Sequence, residues 1–344
     1  MWYMQVMETG TSVRTFFTVL VNYILILCYH SSCCAERILI NDTSVRLLAL
    51  GDWGGLPGYP YVTPVERHVA VGMGVLAQKK GVHFILALGD NFYYDGVTSV
   101  DDKRFEETYE SVFTDTSLFV PWYVLAGNHD HRGNVSAQIA YTSTSKRWNY
   151  PDFYYQLQFK AKRFSLEILM LDTVMLCGNT GPDSKGDQPR GPVNGETAEK
   201  QWKWLENKLL QSRTDYLLVA GHFPVWSAAW HGPTRCLVDR LMPLLYKYNV
   251  SAYLCGHDHN LQHLRYTQQS HTVDYILSGA GQLLDPFMFH KIDVPPGSLK
   301  YFWSNILGKG GVAYLEAMAE RLVFSFWDSS GNQLYENSLK PRHN

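Results

Sequence analysis

Five times in this chain an apolar run stops at a glycine that is followed at once by Asp, Asn or His. VRLLAL leads into Gly51-Asp52-Trp53-Gly54 and VHFILAL into Gly89-Asp90-Asn91-Phe92-Tyr93. WYVLA leads into Gly127-Asn128-His129-Asp130, YLLVA into Gly221-His222, and VSAYLC into Gly256-His257-Asp258-His259. Short runs of this Val, Leu, Ile and Tyr content read as buried strands. In open α/β sheets, ligands bind beyond the carboxyl ends of the strands. A fold that gathers these five strand ends therefore aims one set of carboxylates and imidazoles at a common point. A single Gly-Asp after a strand is more often a turn than a ligand; the repetition carries the specificity.

Helical patterns fall between some of the strands. In TPVERHVAVGMGVLAQKKG, Thr63 can cap, Pro64 suits the first turn, Val65, Val69, Met73 and Leu76 share a face, and Gly81 can end the helix. TAEKQWKWLENKLL puts Trp202, Leu205 and Leu209 on one side. LEILMLD (166 to 172) and VDYILSG (273 to 279) read as further strands, and strand alternating with helix predicts an α/β layered fold. After Gly310 the chain reads as strands joined by short turns, so the fold is expected to close with antiparallel strands. With no repeat and no linker, residues 36–344 are expected to form a single catalytic domain. Residues 178–196, rich in Gly, Pro and Asp, have little to bury and are expected to be a mobile surface loop.

The first 35 residues read separately. TFFTVLVNYILILCY follows Arg14, and Cys33 and Ala35 stand at the small-residue places of a cleavage site, as in a signal peptide. A membrane anchor is the rival, but a bilayer span needs roughly 20 apolar residues and this run is shorter. Cleavage leaves Cys177, Cys236 and Cys255 in an oxidising compartment. Cys255 ends an apolar run and reads as a buried thiol, so Cys177 and Cys236 are the expected disulfide. Three sequons, at Asn41, Asn134 and Asn249, fit a secreted or lysosomal glycoprotein. A formal charge of -2 gives no reason to expect a nucleic-acid partner.

Two or three carboxylates, three imidazoles, an amide oxygen and a phenol are too many donors for one ion. They suggest two metals sharing a carboxylate, as in centres that clamp the attacking and leaving oxygens of a phosphoryl displacement. With no cysteine among the donors, a structural zinc or an iron–sulfur cluster is disfavoured, and iron, manganese or zinc is suited.

GDWG, GDNFY, GNHD, VAGH and GHDH, in this order, resemble the five motif blocks of the purple acid phosphatases. AWHGPTRCL and LCGNT resemble the small, tartrate-resistant animal type of that family. The resemblance runs from Val45 to the carboxyl end. It implies a metallophosphatase fold, a sandwich of two sheets flanked by helices (αββα). It also implies a ferric ion on Asp52, Asp90, Tyr93 and His259, and a divalent iron, or zinc or manganese, on Asp90, Asn128, His222 and His257. Asp90 is then the bridge. Tyr93 supports a trivalent ion independently, because a phenol with a pKa of about 10 loses its proton only to a strongly acidic cation. The expected activity is acid hydrolysis of phosphate monoesters, with a metal-bound hydroxide attacking phosphorus in line.

The resemblance aims His129 and His231 at the substrate, where an imidazolium can protonate the leaving oxygen. Asp130 is expected to orient a neighbour, and Tyr94 to pack beside Tyr93. His68, His83, His131, His263 and His271 read as structural or surface residues. Two departures stand out: Trp230 precedes His231 where animal relatives often carry an acidic residue, and Phe223 stands where tyrosine is common. The 178–196 loop matches the family's repression loop, with Lys185 and Arg190 as sites for an activating protease. The rival functions are a phosphodiesterase or nucleotide pyrophosphatase on the same scaffold, and an iron-dependent redox or iron-handling protein. A monomer without a stable membrane anchor is expected.

Overall fold

A computed structural model describes residues 37–182, 184–305 and 307–342. The signal peptide expected over residues 1–35 lies outside them. In chain order the strands are β1 (Arg37–Leu39), β2 (Val45–Leu50), β3 (Phe84–Leu88), β4 (Trp122–Leu125) and β5 (Trp148–Asn149), then β6 (Tyr155–Lys160), β7 (Ser165–Met170) and β8 (Tyr216–Ala220). There follow β9 (Ala252–Cys255), β10 (Leu261–Gln268), β11 (His271–Ser278), β12 (Leu299–Trp303), β13 (Gly311–Ala317), β14 (Leu322–Asp328) and β15 (Gln333–Leu339). They form one sheet in the order β1-β6-β7-β8-β9-β11-β10-β12 and a second in the order β15-β14-β13-β2-β3-β4-β5. The motif-bearing strands lie side by side and parallel: β2, β3 and β4 in the second sheet, β8 and β9 in the first.

The sheets pack face to face, and helices cover their outer faces. Ile168, Leu218, Leu254 and Ile276 of the first sheet share a core with Leu48, Leu86 and Leu315 of the second. Their neighbours Leu169, Leu217, Tyr253 and Leu277 point the other way, into a core shared with Trp202, Leu205, Leu209, Leu237, Leu241 and Leu245. A strand covered on both faces has no polar side to show, so these strands read as continuous apolar runs. Helix α1 (Pro64–Lys80) buries Val69, Met73 and Leu76 against the second sheet and begins with a capping box between Thr63 and Glu66. Two short helices, α2 (Val135–Tyr141) and α3 (Thr173–Cys177), precede α4 (Gly195–Gln211) and α5 (Arg235–Lys247). The tail, β13 to β15, is the antiparallel meander the sequence predicts.

Several elements were not anticipated. Helix α5 contains Pro243, which interrupts a helical reading, yet Leu237, Leu241 and Leu245 still form one buried stripe. Strand β10 carries His263 and Arg265. Both meet Asp274 on β11, at 2.7 and 3.1 Å, and the other His263 nitrogen lies 2.9 Å from the Tyr335 hydroxyl. Paired this way, polar residues sit inside a strand that their polarity argues against. Cys177 and Cys236 form a disulfide, tying α3 to α5, and Cys255 is buried and free.

Candidate metal centre

The five glycine-led motifs meet where the ends of the two sheets come together. Ser278, ending β11, donates its hydroxyl to Ala49 O at 2.7 Å and accepts from Gly51 N at 2.8 Å, clasping the sheets beside Asp52. Two of the motif glycines are needed for close approach rather than for turning. A Cβ at Gly256 would lie 2.5 Å from Asp52 Oδ2, and one at Gly127 would collide with Asp90 Oδ1. Asp52, Asp90 and His257 all have positive φ (58°, 52° and 74°), a strained region for residues with a Cβ.

All seven residues expected as ligands converge. Tyr93 donates its hydroxyl to Asp52 Oδ1 at 3.0 Å and lies 3.0 Å from His259 Nε2. His222 Nε2 lies 2.8 Å from Asn128 Oδ1 and 3.3 Å from Asp90 Oδ2. Ligand atoms of Asp90, His222 and His257 all fall within 4.8 Å of one another. Each aspartate has one oxygen held by backbone: Asp90 Oδ1 by His129 N at 2.9 Å, Asp52 Oδ2 by His257 N at 2.8 Å. The second oxygen of each faces the cluster.

The donor chemistry fits cations. His222 Nδ1 donates to Leu88 O at 2.9 Å, so Nε2 of the neutral ring turns a lone pair toward an amide oxygen and a carboxylate. Three acceptors facing one another need a proton or a metal between them. The titration behaviour has the same origin. Burial opposes the His222 imidazolium, yet Asp90 pushes its pKa up to about 9. Burial, aided by the Asp90 charge, pushes the Asp52 carboxyl well above its ordinary range. Burial also opposes ionisation of Asp90, but His222 and His129 hold its carboxyl below the usual range. The Tyr93 phenol is driven far up by burial and then by Asp52 and Asp90, whereas burial and neighbouring imidazoles take His259 down to about 3. Two buried carboxylates, a phenol and three imidazoles cannot all be deprotonated together without a cation.

His129 and His231 line the same cavity as Asp90, His257 and His259. His129 Nδ1 donates to Tyr94 O at 2.7 Å, and its Nε2 lies 4.0 Å from Asp90 Oδ2. His231 stacks on His257 with centroids 4.0 Å apart, and its backbone N–H donates to Asp258 Oδ1 at 3.0 Å. Tyr94 packs beside Tyr93 as expected, with ring centroids 5.6 Å apart, and its half-exposed face also lines the cavity. Asp130 orients its neighbours, as expected, chiefly through backbone: it accepts from Gly127 N (2.8 Å), Asn91 N (3.1 Å), Phe92 N (3.2 Å) and the side chain of Gln138 through Nε2 (2.8 Å). The sequence reading gave no role to Asp258 or Asn91. Their only signal is a place between predicted ligands.

The 178–196 loop is anchored rather than free among its described residues. Asn179 Nδ2 donates to Asn128 O, Gly186 N to Trp230 O and Gln188 Nε2 to Pro233 O, each at 3.0 Å. Lys185 and Arg190 remain exposed.

His131 pairs with Asp172, the N-cap of α3, at 2.7 Å. Burial disfavours its imidazolium, but Asp172 raises the pKa above the ordinary value. A raised folded-state pKa means the pair's contribution is complete below about pH 6.5 and is lost as pH rises through the folded value. His131→Gln is therefore expected to cost roughly 1–2 kcal/mol at pH 5 and less at pH 9, read from urea midpoints at each pH. Equal losses at both pH values would contradict a charged pair.

The chain matches the calcineurin-like phosphoesterase family over residues 45–261. It is 52% identical to the tartrate-resistant acid phosphatase type 5 of Oryctolagus cuniculus, across 87% of this chain and 92% of that protein. It is 32% identical to purple acid phosphatase 7 of Arabidopsis thaliana, across 88% of each. Among solved structures, GAP50, the anchor in the inner membrane complex of Plasmodium, superposes with a TM-score of 0.73 at 22% identity, across 88% of this chain and 90% of that one. That likeness concerns the fold alone. Family match, relatives and site geometry agree: the chain belongs to the tartrate-resistant acid phosphatases, a purple acid phosphatase branch of the calcineurin-like phosphoesterases, and is a phosphomonoester hydrolase.

Proposed function

We propose that the chain is an acid phosphatase in which Asp52, Asp90, Tyr93 and His259 hold a ferric ion, and Asp90, Asn128, His222 and His257 a divalent one. The observation that carries the reading is the contact of Tyr93 with both Asp52 and His259. A phenol pushed so far up by burial and anions becomes a phenolate only beside a strongly acidic cation, which favours iron(III) over zinc. Iron fits the divalent position as well, with zinc or manganese suited to the same donors. When bound, such a pair supplies an activated water and neutralises the phosphoryl oxygens.

The protein's own residues supply the rest. Because His129 Nδ1 is committed to Tyr94 O, its Nε2 is the nitrogen available to the substrate. As imidazolium it can hydrogen-bond a phosphoryl oxygen or hand a proton to the departing alkoxide. His231, fixed by Asp258 and stacked on His257, is the second donor. Help of this kind is typically worth about 10²–10⁴-fold.

The test is spectroscopic and analytical. Concentrated protein is expected to be coloured by a tyrosinate-to-iron charge transfer and to contain two metals per chain. Tyr93→Phe is expected to lose the colour and most of the activity in acid. A colourless preparation with two zinc ions would remove the ferric assignment.

A secretory, lysosomal or extracellular location is part of the proposal. The Cys177–Cys236 disulfide supports it, and so does the exposure of Asn41, Asn134 and Asn249 as glycosylation sites. Among the described residues, no helix is long and apolar enough to cross a membrane. The proposed chain works as a monomer, and an activating protease acts at the 178–196 loop. Since that loop is bonded to Asn128 and Trp230, cutting at Lys185 or Arg190 is expected to raise turnover several-fold on a small phosphomonoester. An unchanged rate after a complete cut excludes this regulation.

A further inference from the structure

Tyr93 lies on the turn 92–96, which Gly96 N closes by donating to Phe92 O at 3.1 Å. Asp52 lies on the neighbouring loop, and one residue joins the two: Gly54 O accepts from Tyr93 N at 3.0 Å, and Gly54 N donates to Asp90 O at 3.1 Å. A Cβ at Gly54 would come 2.5 Å from Phe92 N, so the loops touch there backbone to backbone. This contact sets how far the Tyr93 phenol stands from Asp52.

Arg104 reaches the same contact from a third segment. Its Nη2 donates to Gly54 O and its Nη1 to Gly96 O, the latter at 3.4 Å, so the guanidinium spans the Tyr93 turn from one end to the other. The Phe92 ring centroid lies 5.4 Å from its central carbon. Arg104 is only 4% exposed, yet it gives these bonds to backbone carbonyls rather than to a carboxylate. Burial pulls its pKa below the ordinary value, against the charges of Asp102, Asp130 and Glu66. Burying an ion carries a desolvation cost that a well-packed apolar residue would avoid. What an apolar residue cannot supply is the fork: a planar guanidinium has donors spread widely enough to hold two carbonyls at once.

The base of this brace is firm. Arg104 precedes the short helix Phe105–Glu110, whose Phe105 stacks on Tyr141 with centroids 3.8 Å apart and whose Tyr109 packs against Trp53 at 5.8 Å. Trp53 stands between Asp52 and Gly54, so helix and guanidinium grip the same loop.

We propose that Arg104 is a positioning residue for the ferric half of the centre, holding the Tyr93 phenol in register with Asp52 and His259 without itself being a ligand. This deepens the ferric assignment above and rests on it. Without the fork, the Tyr93 turn keeps its bond to Gly54 O but loses the tie across its far end at Gly96.

Arg104→Met and Arg104→Lys, compared with the native holoenzyme, test the role. The methionine fills space without a donor, and the lysine keeps a charge that can hold one carbonyl but not both. Native protein is expected to show the tyrosinate-to-iron absorption band. Arg104→Met should displace the maximum of that band and hold the ferric ion about 10–100-fold less tightly against a chelator, with the divalent ion less affected; Arg104→Lys should fall between. Urea midpoints of chelated samples report stability separately, and if the methionine variant does not fold, the lysine variant decides. An unmoved band with native iron retention in each variant that folds overturns the positioning role, whatever the stability. An equal loss of both ions with the band unmoved marks a general loosening and overturns it too. A native protein that is colourless with two zinc ions removes the ferric assignment itself, and the role falls with it.

Discussion

Asp90→Asn is expected to lower kcat/KM by at least about 10³-fold, equivalent to roughly 4 kcal/mol of lost transition-state stabilisation. Asp90 is the residue through which both proposed ion positions communicate. Its Oδ2 faces His222, its charge raises the Asp52 carboxyl and the Tyr93 phenol, and its Oδ1 is fixed by His129 N. An asparagine can keep the bond from His129 N through its oxygen, but it brings no charge to share between two cations. The same substitution should also destabilise the chelated protein, by up to about 3–5 kcal/mol, because without metal the Asp90 carboxylate and the His222 imidazolium hold each other charged as a buried pair that the amide breaks. Metal content, activity and urea midpoints of chelated samples separate these effects. Full occupancy of both metals in the variant would contradict a bridging role, and an unchanged urea midpoint without metal would contradict the buried Asp90–His222 pair.

The ligands were legible because a sheet converts sequence adjacency into spatial convergence. Each one follows a strand directly, and neighbouring parallel strands end on the same side. What surrounds them was not legible, since those partners are brought together only by the fold. Asp258 fixes the backbone of His231 from 27 positions away, and Gln138 reaches Asp130 from a short helix with no motif of its own. That Tyr94 also lines the cavity was not legible, because nothing in a Tyr-Tyr pair says which ring faces solvent.

For the fold, the doubly covered strands declared themselves as apolar runs, but such a run does not say which sheet it joins. The division of β2, β3 and β4 from β8 and β9 between two sheets depends on pairings such as Ala313 with Ala49, more than 250 residues apart in sequence. Strand β10 and helix α5 were missed for opposite reasons. One hides its polar residues by pairing them inside, and the other tolerates a proline.

Asp130→Ala is expected to destabilise the protein by about 3–5 kcal/mol and to weaken metal retention about 10–100-fold, though Asp130 is not among the proposed ligands. Its carboxylate takes hydrogen bonds from Gly127 N, Asn91 N and Phe92 N, all buried, and from Gln138 Nε2. Two of the donors flank Asp90 and Asn128, so one side chain sets the spacing between two ligand loops. Removal leaves three backbone N–H groups without a partner, each costing about 1–3 kcal/mol. Part of that is offset because burial, aided by the Asp90 charge, already pushes the Asp130 carboxyl above its ordinary range. Asp130→Asn separates brace from charge. Its single oxygen can keep one pair of bonds, while its amide meets N–H donors head-on, so it should fall between wild type and alanine in stability. Urea unfolding of loaded and chelated protein decides the matter: a loss in both states marks the brace, and a loss in the loaded state alone would make Asp130 a partner of the metals instead.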